Sequence, residues 1–70
     1  MVESGRNSLE VVARELPELA GRLGAMKDEA AGQLHSPEYD ALRLRLEMAH
    51  AAVEAAAVEA RRRVRLDEGR

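Results

Sequence analysis

Gly32-Gln33-Leu34-His35-Ser36-Pro37-Glu38 separates two stretches that carry the same apolar spacing. Ser36 suits a helix N-cap, and Pro37 at the first helical position gives up only an N–H that would be orphaned anyway. Glu38 then places a carboxylate at the positive helix end. Gly32 closes the preceding helix, and so short a connection predicts an antiparallel pair. The reading is an all-α helical hairpin.

On the C-terminal side, Tyr39, Leu42, Leu46, Ala49, Val53, Ala56 and Ala60 recur in steps of three and four. This is the spacing of one helix face, and it predicts a helix over about 37–66. Tyr39, the one aromatic residue, is expected to plug the turn end of the seam. Leu44, Met48, Ala51, Ala55 and Val58 form a second apolar stripe on the reverse of the same helix. A helix with two apolar faces is normally buried on both. The first helix can cover only one, so this interaction stripe predicts a homodimer: a four-helix bundle with the two copies of the second helix at its centre.

On the N-terminal side, Leu9, Val12, Leu16, Leu19, Leu23, Met26 and Ala30 repeat the spacing and predict a helix over about 8–33, with Asn7 and Glu10 as a capping box. Pro17 conflicts with a straight helix, at about 3 kcal/mol in a helix interior. The apolar register nevertheless passes through it without slipping, and Glu15 and Leu16 are poor caps. A kink is therefore expected in preference to a break. Gly21 and Gly24 are placed on outward positions. Glu10, Arg14, Glu18 and Arg22 alternate in sign one turn apart, which marks a solvated side.

Composition bounds what such a hairpin can do alone. The 70 residues allow one domain, expected at 8–66 between flexible ends at 1–7 and 67–70. Of 32 apolar residues 13 are Ala, with no Phe, Trp or Ile, so one shared seam offers little to offset an ordering cost of about 1.5 kcal/mol per residue. The absence of Cys excludes disulfides, thiolate metal sites and Cys nucleophiles, and is compatible with a reducing cytoplasm. The N-terminus shows no signal peptide, and the most apolar run, Ala49 to Ala60, is interrupted by His50, Glu54 and Glu59 and is too short to span a bilayer. A soluble cytoplasmic protein with no membrane partner is expected.

Two constellations remain. Arg61-Arg62-Arg63-Val64-Arg65 makes a basic end on a chain whose formal net charge is −2. Its cations suit the negative pole of a helix dipole, and without aromatic platforms any nucleic-acid contact would be largely non-specific and salt-dependent. Glu47 and His50 have the Glu-x-x-His spacing used by di-metal helical bundles, with Glu54 one turn beyond, but Leu19, Leu23 and Met26 are expected opposite them. His35 lies in the turn, and Gln33 ends the apolar register. No phosphate loop or catalytic grouping is present, so no cofactor and no enzymatic activity are expected. The leading reading is a small dimeric helical interaction protein that pairs with itself and with another protein as adaptor, regulator or assembly subunit. The alternatives are a nucleic-acid-associated regulator using Arg61 to Arg65, and a metal-binding four-helix-bundle protein using Glu47, His50 and Glu54.

Overall fold

A computed structural model describes residues 8–68, and for 2–7 the course of the helix alone. The chain is two long helices folded back on each other: α1 spans Val2–Gln33, a single 3-10 turn covers Pro37–Tyr39, and α2 spans Asp40–Glu68. They form a rod 51 Å long and 16 by 15 Å across. The expected loose ends lie partly outside the described residues. Where they are described, 2–7 belong to α1, and Asp67 and Glu68 to α2.

The expected start of α1 near Ser8 is corrected, since the helix already runs from Val2 and Asn7 stands inside it. Pro17 also lies within α1, so the helix is not broken there. At the turn, Ser36 takes the extended N-cap conformation (φ −63°, ψ 144°) with Pro37 following, but its side chain makes no capping hydrogen bond. Backbone bonds do that work: the Tyr39 N–H donates to the Ser36 carbonyl at 2.9 Å, and the Asp40 N–H donates to that of Pro37. The second helix therefore opens as a 3-10 turn at Pro37 and becomes α-helical at Asp40. On the other side of the turn, the Leu34 N–H donates to the Ala30 carbonyl at 2.8 Å and finishes α1.

The contact line between the helices departs from the expected stripes in a regular way. On α1 the half-buried or buried positions include Leu9, Ala13, Leu16, Ala20, Leu23, Lys27 and Ala30; on α2 they are Arg43, Leu46, His50, Val53, Ala57, Ala60 and Val64. Half of each expected stripe thus lies on the line, and the other half is displaced by one residue. Val12, Leu19 and Met26 give way to Ala13, Ala20 and Lys27, while Leu42, Ala49 and Ala56 give way to Arg43, His50 and Ala57. Tyr39 does not plug the seam, since it remains 36% exposed.

Small side chains explain the shift. Ala20, Ala30, Ala57 and Ala60 are the buried apolar residues, each 6–8% exposed, and no larger side chain is fully buried among the described residues. Alanine at the contact lets two backbones approach, which a row of Leu and Met facing one another would prevent. Gly24 sits at this approach rather than on the outward position expected. A Cβ built there would lie 3.1 Å from His50 Nε2, whereas one at Gly21 would meet nothing within 4 Å.

Glycine inside a helix costs roughly 0.5–1 kcal/mol relative to alanine. G21A is therefore expected to raise unfolding stability by about that amount in urea titrations. G24A should gain less, because the imidazole must move. The shortfall should disappear when G24A is made together with H50A.

Candidate interaction surfaces

Antiparallel pairing creates two grooves along the hairpin, one on each side of the contact line, and their linings differ. One is built from Met26, Glu29, Ala30, Gln33, Leu34, Leu42 and Leu46 at the turn end. Val12 and Leu19 continue the α1 edge of this side toward the open end, each on the helix face of Met26 one or two heptads earlier. Ala49 and Ala56 continue the α2 edge from Leu42 in the same steps. Val12, Leu19, Met26 and Leu42 are 44–53% exposed. The displaced halves of both stripes thus meet on one apolar side.

The other side is charged. Toward the turn it is lined by Lys27, Asp40, Arg43 and Glu47, and farther along by Asp28, His50, Glu54 and Arg61. Arg43 lays its stem into the contact line and pairs with Asp40, while its Nε is buried with no hydrogen-bond partner. His50 Nδ1 stands 3.7 Å from Glu54 Oε1. Charged side chains are thus concentrated on one side of the contact line, where Leu44 and Val58 also border the groove, and the other side is mainly aliphatic.

The reverse stripe of α2 is accessible along its whole length. Leu44, Met48, Ala51, Ala55 and Val58 are all exposed, the three larger ones by 56–60%. Among the described residues α1 packs on the other side of α2 and leaves them uncovered, with Leu44 and Val58 bordering the charged groove. The alternating charges Glu10, Arg14, Glu18 and Arg22 are exposed as expected.

Neither chemical constellation is assembled into a site. Glu47, His50 and Glu54 share a region of α2, and Gly24 lies opposite His50; Asp28 of α1 lines the same groove. Among the described residues no group of three or more His, Cys, Asp or Glu side chains is placed to hold a metal ion. In the basic end, Glu59 accepts a hydrogen bond from Arg63 Nε at 3.2 Å and stands 3.7 Å from Arg62 Nη1. Arg61 turns into the charged groove, Val64 packs beside Leu9, and Arg65 is exposed. The guanidinium groups are spread around the helix and partly neutralised. His35 in the turn and Gln33 at the end of α1 are exposed.

Among the described residues no helix is long and apolar enough to cross a membrane. Comparison with known protein families, characterised proteins and solved structures finds no match for this chain. Its surfaces are therefore the guide to its function.

The metal alternative has a direct consequence. Because a structural metal stabilises the fold that holds it, Zn²⁺ or Fe²⁺ is expected to leave the melting temperature of the wild type no higher than that of H50A. A metal-dependent rise in the wild type, abolished by H50A and E47Q, would show the opposite.

Proposed function

We propose that this protein is a helical interaction module whose activity is association, with itself and with another protein, as an adaptor, regulator or assembly subunit. One observation carries the reading. Among the described residues the buried side chains are alanines, whereas ten larger apolar residues stay exposed, most of them on two continuous faces. An isolated soluble chain rarely exposes contiguous apolar surface on this scale. A hairpin this small also has too little interior to hold itself firmly, so a partner that covers apolar surface supplies stability as well as function.

The two exposed faces suit two kinds of contact. The apolar side of the hairpin is contributed jointly by α1 and α2 and is shaped for a helical pair. The reverse stripe, Leu44 to Val58, belongs to α2 alone and offers a single helix face to another protein. The nucleic-acid reading has less support, because Glu59 engages two of the four arginines of the basic end.

Self-association links stability to concentration. Light scattering is expected to give about twice the 7.7 kDa chain mass, with a melting temperature that rises as protein concentration is raised. A monomer mass with a concentration-independent melting temperature would overturn the self-association part of the reading. For the basic end, little retention of a generic DNA duplex is expected even at low salt. Strong binding abolished by R61A/R63A would instead favour the nucleic-acid alternative.

A further inference from the structure

We propose that the apolar side of the hairpin is covered by a second copy of the chain, related by a two-fold axis that runs parallel to the helices, so that α1 of each copy packs beside α2 of the other. This rests on the association reading above and names its partner, face and symmetry.

The direction in which each stripe points fits a four-helix arrangement. At about 100° per residue, the centre of the apolar stripe on α1 is turned about 50° from the direction of α2. The stripe on α2 is turned by a similar angle from the direction of α1. Both turn to the same side, because Met26 shares a groove with Leu42 and Leu46. In a two-stranded pair the stripe points straight at the neighbour. In a four-helix bundle each helix has two neighbours roughly at right angles, and its stripe points between them at the bundle axis. The turned stripes of this hairpin match the second geometry.

Only one side is prepared. The opposite groove, although Leu44 and Val58 border it, carries Lys27, Asp28, Glu47, His50, Glu54 and Arg61, which a packed bundle interior would leave desolvated. The apolar groove built by both helices is therefore closed by a single copy, and the reverse stripe of α2 stays available for another contact. A second copy is also matched in length, carrying the same stripe over the same span.

Charge then selects the symmetry. Glu15, Arg22 and Glu29 edge the apolar side on α1, and Arg45, Ala52 and Glu59 edge it on α2, all exposed. An axis parallel to the helices preserves the hairpin's own register, in which Gly24 is level with His50 and Leu9 with Val64. Glu29 then faces the partner's Arg45, Arg22 faces the partner's Ala52, and Glu15 faces the partner's Glu59, which its own arginines already neutralise. An axis across the helices, with the stripes fully overlapped, would instead set Arg22 against the partner's Arg22 and Glu15 against the partner's Glu29, while still pairing Arg45 with the partner's Glu59. Like contacts then outnumber unlike ones, whereas about a parallel axis the two are balanced and the like pair involves the Glu59 that Arg62 and Arg63 already neutralise, so charge favours the parallel axis by a small margin.

The lack of cysteine makes the arrangement directly testable in the full-length chain. R22C and A52C are prepared separately, mixed, and treated with a short bismaleimide. A cross-linked heterodimer from the mixture, with little product from either variant alone, is expected. Efficient cross-linking of R22C alone would place the axis across the helices and overturn the symmetry. Adding L19E/M26E to the cysteine variants should abolish the heterodimer, whereas adding L44E/M48E should leave it in place. The reverse pattern would assign the dimer to the back of α2 and overturn the face. A folded wild type that stays at monomer mass would overturn the association reading itself, and this inference with it.

Discussion

The close approach of two backbones through alanine and glycine is the constraint on which the rest of the structure depends. Ala20 and Ala57, with Gly24 against the ring of His50, bring the helices together where larger side chains would hold them apart. With alanines alternating along the contact line with Leu16, Leu23, Leu46 and Val53, the remaining half of each stripe, Val12, Leu19, Met26 and Leu42, is turned away from it. Those four turn to the same side. The surface chemistry of the molecule follows from that rotation.

The rotation also sets the energetic position of the hairpin. Burying alanines removes little apolar area from water, since the effect scales with area at roughly 25 cal/mol per Å², whereas ordering some sixty residues is costly. Local devices contribute modestly. The Asp40–Arg43 pair and the Glu59 pairs with Arg62 and Arg63 lie one turn apart on exposed helix faces, where such contacts add only tenths of a kcal/mol. A further source of burial is available in the apolar side, so stability and association are coupled in this chain. The same reasoning separates the two exposed faces: one is a groove built by both helices, the other a stripe on one helix.

The charged side is a consequence of the same packing. Lys27, Arg43 and His50 sit on the contact line where an apolar residue would be expected. Arg43 turns to Asp40 and His50 to Glu54 on one flank, and Lys27 lines the same groove as Glu47. Their stems fill space beside the alanines. Glu-x-x-His in a helix is therefore, here, part of a polar flank: its imidazole packs on a glycine and points at a neighbouring carboxylate on its own helix.

By itself the sequence determined the helical hairpin. Ser36-Pro37 announced a helix start, the three-and-four spacing announced two amphipathic helices, and the register running through Pro17 announced that α1 is not broken there. Each of these rests on local chemistry that a chain carries wherever it folds. The start of α1 was less legible, because Asn7 and Glu10 form a capping pattern that the helix overrides by continuing upstream. Tertiary structure alone decided which half of each stripe meets the other helix. Leu19 and Ala20, or Ala56 and Ala57, are both apolar and adjacent, and periodicity cannot choose between them. The choice depends on how close two backbones can come, and closeness exists only once both helices are in place.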